Sequence, residues 1–194
     1  MKTISSLFFI TLFAALGLGL GGWSALQALE QQIFVERIQR GVWVAYPDLG
    51  SANADPYLQA RAAQRGLLPL GPAEGLVFST SVDSDNQPLL RQCNYTLFGE
   101  VPIARLWTLT ATDVDDRPID LSSAAQNTFH SYSIVYEDDF LELNIGPTAA
   151  PLNWYTMNGT GGVSLILRLY DTPITSTTGV SAFSMPRIKR RNCL

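Results

Sequence analysis

The chain is poor in the side chains that most enzymes use for chemistry. It contains one histidine, His130, and two cysteines, Cys93 and Cys193, among 194 residues. Cys-x-x-Cys pairs and Cys/His clusters are absent from the sequence, which excludes a zinc site of the usual spacing. There is also no Gly-x-Ser-x-Gly segment, the nucleophile turn of many hydrolases. The sequence therefore names no reaction and predicts no cofactor.

Charged side chains are also scarce, and they are unevenly placed. Only 15% of the residues are charged, and the net charge is −4. An acidic chain lacks the basic surface that neutralises phosphates, so a nucleic-acid partner is not expected. Four of the 13 basic residues lie close to the C-terminus, which leaves 9 basic against 17 acidic residues elsewhere: Arg187, Lys189, Arg190 and Arg191. Such a cluster is typical of a solvated terminal strand, with contact to anionic lipid or polysaccharide as the alternative.

One long apolar run is present, at the N-terminus. No charged side chain occurs between Lys2 and Glu30, and about 20 apolar residues are enough to cross a bilayer as a helix. We expect residues 4–29 to span a membrane, with 1–29 forming a signal anchor. A cleaved signal has a shorter apolar core and an Ala-x-Ala-like site, so an uncleaved anchor is favoured and a removed signal is the alternative. Lys2 ahead of the span favours a cytoplasmic N-terminus.

Residues 30–75 are expected to form a membrane-proximal helical region and a linker. The segment 30–40 would continue the membrane helix for about three turns. A second, short helix is predicted with Asp55 near its N-cap and Gly66 as its stop signal. The two prolines and two glycines of 67–75 indicate a loop that leads into the next domain.

From residue 76 onward the pattern is that of short β-strands. Turn formers such as DSDNQP and DVDDRP separate several of them. Six or more short strands with acidic turns predict a mainly β domain over 76–194, an antiparallel β-sandwich or jelly-roll-like fold. Six segments are rich in β-branched, aromatic or alternating apolar residues: LVFSTSV, LLRQCNYTLFG, ARLWTLTATDV, FHSYSIVYE, FLELNIGP and VSLILRLYD.

Cys93 and Cys193 are the two candidates for a disulfide. An even number of cysteines in an exported domain favours a bridge, with two buried free thiols as the alternative. Closing a loop of about 100 residues would restrict the unfolded chain by roughly 4.7 kcal/mol in the entropy model. The bridge would tie the last residue but one to the middle of the domain.

A polar and aromatic group late in the chain is the candidate ligand site. Aromatic rings, amides and a guanidinium are groups that stack on sugars and bind carboxylates. The alternative is structural, with Trp154 filling the core under a loop that the two asparagines shape. The candidate residues are Asn153, Trp154, Asn158, Arg168 and Tyr170.

Acidic turns are the remaining candidates for a metal. Asp83 and Asp85 begin like a calcium-binding loop, but Pro88 stands where that loop needs glycine. Two further acidic groups lie at 113–116 and 137–139. Solvated hairpin turns are the simpler interpretation, so no metal site is predicted.

Two segments of the β region resemble a known family. One has an aromatic strand before an acidic turn, carried by Trp107, Thr108, Leu109 and Thr110. The other has Asn153 and Trp154 before a glycine-containing turn, followed by Leu167, Arg168, Leu169 and Tyr170. Over 76–194 the chain resembles the domain of unknown function 1214 family. The resemblance implies a jelly-roll-like fold, an exported bacterial protein of the cell envelope and a partner domain of the 1254 family, in whose place this chain has an anchor and a short helical region. It supplies no catalytic residue.

These features predict a single-pass protein of the bacterial inner membrane whose β-sandwich faces the periplasm. We expect a non-enzymatic binding or scaffolding module that engages an envelope polysaccharide or a protein partner. The alternative is a hydrolase of envelope material with His130 or the acidic turns in its site. Ser131 follows His130 directly and would point to the opposite face of a strand, so it is a poor nucleophile for that base.

Overall fold

A computed structural model of the chain describes residues 2–30, 37–119, 128–136, 140–175 and 183–193. The described helices are α1 (Lys2–Glu30) and α2 (Pro56–Gln64), with 3₁₀ turns at Pro47–Gly50 and Pro173–Thr175. The described strands are β1 (Ile38–Arg40), β2 (Trp43–Ala45), β3 (Gly75–Thr80), β4 (Cys93–Gly99), β5 (Leu106–Thr112), β6 (Thr128–His130), β7 (Leu141–Gly146), β8 (Trp154–Thr156), β9 (Ser164–Tyr170) and β10 (Arg187–Cys193).

α1 is long and apolar enough to cross a membrane over Ser6–Gln27, the only such helix in the described part of the chain. Its 22 residues would measure about 33 Å at 1.5 Å each, close to the thickness of a hydrocarbon core. The side chains along this stretch are exposed on every side of the helix. Because such a surface is unfavourable in water, a lipid environment suits it. The predicted apolar N-terminal helix is confirmed.

The strands form two sheets that pack face to face. One sheet has the order β1-β2-β3-β9-β5-β6 and the other the order β10-β4-β7-β8. Neighbouring strands are antiparallel except for β7 and β8, which are parallel. The Tyr155 hydroxyl crosses the core and accepts a hydrogen bond from the backbone N–H of Ala111, at 3.1 Å. The predicted β-sandwich is therefore confirmed, with one parallel pair among the antiparallel ones.

The alternation of β9 shows how the sandwich places a polar group. Leu165, Leu167 and Leu169 point into the core and are almost fully buried. Ile166 and Arg168 point to the outer face of the six-stranded sheet. Ile166 is nevertheless buried, because α2 covers this part of the outer face.

The end of the segment expected to extend the membrane helix is a strand instead. Ile38–Arg40 pairs with β2 as β1, and Gly41 forms the turn with a φ of 58°. The predicted helix over 30–40 is wrong there, because pairing allows Ile38 to pack against the core. Residues 31–36 of that segment lie outside the described residues.

Two strand predictions in the middle of the chain need correction. β4 begins at Cys93 rather than residue 89, and 129–137 contributes only the end of β6 before a turn at 131–133. The Ser133 hydroxyl accepts from the His130 backbone N–H and donates to the His130 carbonyl, which ends the strand. Strands β1, β2 and β8, each three residues long, have no counterpart in the prediction.

The predicted disulfide is confirmed and joins two neighbouring strands. Cys93 at the start of β4 is bonded to Cys193 at the end of β10, 100 residues later. The two cysteines are register partners in the four-stranded sheet. The basic C-terminal segment is thus a strand held at its end by a covalent bond.

Candidate functional site

A cleft of about 160 Å³ lies between α2 and the outer face of the six-stranded sheet. Its floor comes from β3 and β9, and its other walls come from α2 and the loop after it. The apolar lining includes Leu49, Leu58, Leu68, Leu70, Val77 and Ile166. The polar lining consists of Tyr46, Arg61, Arg65, Ser79, Asp116 and Arg168.

The caps of α2 hold the helix over the cleft. The Asp55 carboxylate accepts from the backbone N–H groups of Tyr57 and Leu58, at 2.9 and 3.1 Å. At the other end Gly66 adopts a φ of 64°, and the Leu67 N–H donates to the Ala62 carbonyl, as in a Schellman motif. Both predicted ends of this helix are confirmed.

Two arginines on α2 face the cleft together with a third from the sheet. Arg61 and Arg65 are four residues apart and therefore lie on one side of the helix. Arg168 rises from β9 and donates through Nη1 to the Thr110 hydroxyl, at 3.1 Å. The buried Nη1 of Arg61 has no hydrogen-bond partner among the described residues. A buried guanidinium nitrogen without an acceptor is costly unless a ligand supplies one.

The single carboxylate of the cleft comes from the turn after β5. Asp116 has a φ of 64°, and its Oδ2 lies 2.6 Å from Arg65 Nη1. Asp113 organises this turn, since its Oδ1 accepts from the N–H groups of Asp115 and Arg117. The hydrogen bond from the Arg117 N–H is the main reason that the pKa of Asp113 lies below its usual value. The cleft thus holds three guanidinium groups against one carboxylate.

Tyr46 adds a neutral hydroxyl to the wall. Burial raises its pKa above the ordinary value, and the nearby charges of Arg37 and Arg61 only partly offset this effect. The phenol therefore stays protonated at neutral pH. An excess of positive charge, a neutral phenol and leucine walls suit a ligand that has an anionic group and an apolar part.

Most of the cleft floor belongs to a segment with recognisable relatives. A model of the protein family described as Protein of unknown function (DUF1214) matches residues 74–174, more than half of the chain. The chain belongs to the DUF1214 family. The matched region contains β3, β5, β9 and the turn of Asp116, whereas α2 and β10 lie outside it.

Solved structures support the fold of this DUF1214 protein. It is similar to the VPA0106 protein from Vibrio parahaemolyticus, with a TM-score of 0.56 and 18% identity, over 72% of this chain and 36% of that one. It also aligns with an uncharacterised protein from Burkholderia cenocepacia, with a TM-score of 0.44 and 12% identity, over 88% and 41% of the two chains. This chain thus spans well under half the length of either. No curated protein matches it.

The five predicted ligand residues of the DUF1214 protein do not meet in one place. Asn153 and Trp154 lie at β8 in the four-stranded sheet, whereas Arg168 and Tyr170 lie on β9 in the other sheet. Arg168 is the only one of the five that lines the cleft. Tyr170 lies further along the same strand, and Asn158 is exposed after β8.

Asn153 is buried, and its amide is occupied by the backbone. Its Nδ2 donates to the carbonyls of Val135 and Glu142, at 2.7 and 2.9 Å, and its Oδ1 accepts from the Val135 N–H, at 2.9 Å. Trp154 is partly exposed, and its indole N–H donates to the Gly146 carbonyl, at 3.1 Å. These bonds fix the positions of both side chains on the outer side of the sandwich.

The acidic turn at 83–87 is also organised by internal bonds. Asp83 is almost fully buried and accepts from the N–H groups of Asp85 and Gln87. Its Oδ2 lies 3.2 Å from Nε of Arg190 on β10. The described residues contain no group of three or more His, Cys, Asp or Glu side chains suited to a metal. The acidic group at 137–139 lies outside the described residues.

Sequence reasoning did not select Tyr46, Arg61, Arg65 or Asp116. Arg61 and Arg65 carry a usable signal, since two arginines at i and i+4 flank the buried Leu58 and Ala62 of an amphipathic helix. Tyr46 and Asp116 carry none, because they reach the cleft through turns distant in sequence.

Proposed function

We propose that this protein is a membrane-anchored, non-enzymatic binding module of the bacterial cell envelope, with the α2 cleft as its ligand site. The ligand class is a small anion, a carboxylate or a phosphate monoester, that carries an apolar part. The observation that carries this proposal is the buried Nη1 of Arg61, which lacks an acceptor among the described residues and borders the cleft.

The surroundings of Arg61 agree with such a ligand. Arg65 is already paired with Asp116, and Arg168 has an uncharged partner in Thr110. The positive charge of the cleft is therefore only partly neutralised within the described residues. Leu68, which is largely exposed at the cleft, offers an apolar contact to the rest of the ligand. α1 also approaches α2, which favours a ligand that partitions into a membrane.

A binding role is favoured over the hydrolase alternative by the composition of the cleft. Its described lining includes no histidine and no cysteine, so a general base for a hydroxyl nucleophile is missing there. His130 lies on β6, where its ring is 6.5 Å from that of Tyr132.

The proposed location is the inner membrane, with the DUF1214 domain in the periplasm. Lys2 ahead of the apolar helix favours a cytoplasmic N-terminus, and the Cys93–Cys193 bond fits an oxidising compartment. Export of the domain and a protein partner such as a 1254 family domain belong to this proposal.

Calorimetric titration of the full chain in phosphatidylcholine nanodiscs would test the cleft. The probes are hexanoate and hexyl phosphate, with hexanol as the uncharged counterpart. We expect the two anions to bind and hexanol to bind much more weakly. Arg61→Gln should weaken anion binding about ten-fold or more, since a hydrogen bond to a charged group contributes about 1.5–3 kcal/mol.

Arg105→Gln is the matched control, because Arg105 is exposed and pairs with Asp171 away from the cleft. It should bind the anions as the wild type does. Equal affinity for hexanol and the anions, or an unchanged affinity in Arg61→Gln, would contradict the proposed site.

A further inference from the structure

The outer face of the four-stranded sheet carries a second constellation, separate from the cleft. One row of register partners runs across all four strands: Lys189, Thr96, Asn144 and Trp154. Neighbouring strands lie about 4.8 Å apart, so the row spans about 14 Å. It presents an ammonium group, a hydroxyl, an amide and an indole in a line, on the side of the sheet opposite the buried Leu97, Leu143 and Tyr155.

The polar groups of the row are held by one another. The Thr96 hydroxyl donates to Asn144 Oδ1, at 3.1 Å, and accepts from Nε of Arg191, at 2.9 Å. The Asn144 Nδ2 has no hydrogen-bond partner among the described residues. Because its Oδ1 is engaged, this amide presents its N–H donors outward. The Trp154 ring is fixed by its bond to the Gly146 carbonyl.

Basic side chains line the β10 end of the same face. Arg187 and Lys189 are exposed and have no acidic partner within the part of the chain that the structure describes. Arg190 points the other way and is paired with Asp83. The outward charges contrast with the rest of the chain, where acidic residues outnumber basic ones by 17 to 9. An anionic polymer would therefore be attracted to this face and repelled elsewhere.

Protection of an edge strand is the structural alternative for basic residues on β10. Part of that edge is already covered, since the Ser84 N–H donates to the Ile188 carbonyl and the Ser84 hydroxyl accepts from the Ile188 N–H, both at 2.9 Å. The basic side chains at 187, 189 and 191 alternate with the buried Ile188 and so follow the face of the sheet rather than its edge.

We infer that this face, the Lys189–Trp154 row with Arg187 and Arg191, is a binding surface for an acidic polysaccharide. A sugar ring stacks on Trp154, the Asn144 amide donates to ring hydroxyls, and the basic residues contact the carboxylates or phosphates of the polymer. The surface lies on the opposite sheet from the cleft, so it does not depend on the ligand proposed there.

The test is binding of polygalacturonate to the full chain in phosphatidylcholine nanodiscs, with neutral dextran as the comparison polymer. We expect polygalacturonate to bind with an affinity that falls as salt rises from 50 to 200 mM, and dextran to bind far more weakly. Arg187→Gln/Lys189→Gln should lower the affinity about ten-fold. The charge-matched control is Arg105→Gln/Arg117→Gln, two exposed arginines away from this face, which should leave binding unchanged.

Trp154→Leu separates glycan recognition from charge alone. It should lower polygalacturonate affinity without changing the salt dependence, while circular dichroism confirms a folded domain. Unchanged affinity in this variant, or in Arg187→Gln/Lys189→Gln, would overturn the inference. Aggregation of the double variant with unaltered polymer binding would assign the charges to edge protection instead. Tighter, Trp154-independent binding to phosphatidylglycerol vesicles would overturn it in favour of a lipid surface.

Discussion

At the scale of single residues, similar side chains have different roles according to their surroundings. Asn153 and Asn158 belong to the same predicted ligand group, yet one is buried with three hydrogen bonds to the backbone and the other is exposed. The sequence pattern around both residues is polar and aromatic in the same way. Burial, which depends on strands far away in sequence, makes the difference.

Asn153→Ala should destabilise the domain much more than Asn158→Ala. Removing the buried amide leaves the backbone groups of Val135 and the Glu142 carbonyl without their partner, at a cost of about 1–3 kcal/mol or more. Asn158→Ala should stay within about 0.5 kcal/mol of the wild type. Urea unfolding of the two variants measures this difference, and equal stabilities would refute the structural role of Asn153.

Asp113→Asn should alter the dependence of stability on pH. The pKa of Asp113 is lower in the folded state, chiefly through the hydrogen bond from the Arg117 N–H. Its carboxylate therefore contributes stability above the unfolded value near 3.9, and this contribution is lost as pH falls through the folded pKa. We expect the gap in unfolding free energy between wild type and variant to be constant above about pH 5 and to shrink below about pH 4. Denaturation at a series of pH values, with Asp115→Asn as control, checks this; a gap that widens on acidification would contradict it.

At the scale of elements, the cleft depends on close packing between a turn and a loop. Leu49 in the 3₁₀ turn Pro47–Gly50 and Leu70 in the loop after α2 both line the cleft. Gly50 joins these two walls, since a Cβ there would overlap the carbonyl oxygen of Leu70. The lining residues come from short irregular segments that owe their positions to this contact.

Gly50→Ala should separate the two walls of the cleft. Because the clash is with backbone atoms, we expect a loss of about 3 kcal/mol in stability and weaker binding of hexyl phosphate. Gly71→Ala is the matched control, since its Cβ would make only an ordinary contact with the Glu74 carboxylate. Thermal unfolding and calorimetry measure both effects. If Gly50→Ala behaved like Gly71→Ala, the turn–loop contact would be unimportant.

At the scale of the whole molecule, regions inside and outside the DUF1214 match combine. The match at 74–174 covers most of the core, while α2 and β10 contribute one wall of the cleft and the basic face. The disulfide binds β10 to the matched region. α1 adds a membrane-spanning length of apolar helix. Both proposed binding surfaces thus need elements that flank the family domain.

Cys93→Ala/Cys193→Ala should lower the free energy of unfolding by up to about 4.7 kcal/mol, because the bridge closes a loop of about 100 residues. Since neither cysteine lines the cleft, binding of hexyl phosphate at 25 °C should persist in the variant. Guanidinium unfolding and calorimetry measure the two properties. A stability equal to that of the oxidised wild type would argue against the loop-closure contribution.

The proposed topology predicts the fate of the N-terminal helix. A periplasm-active reporter fused after residue 193 should be active in an intact cell, and the purified protein should retain its first residues. Membrane fractionation and N-terminal sequencing check both points. A mature N-terminus after residue 19 or later would indicate a cleaved signal rather than an anchor.

The sequence by itself determined those features that local chemistry specifies. The uncharged N-terminal run, the capped α2 and the alternating leucines of β9 each predict their structure from a few neighbouring residues. The tertiary structure alone decided which side chains meet. Arg61, Arg168 and Asp116 reach one cleft, and Lys189 and Asn144 reach one row, only because strand order and register bring distant segments together. Short strands such as β1 and β8 escape prediction for the same reason, since their partners rather than their own residues stabilise them.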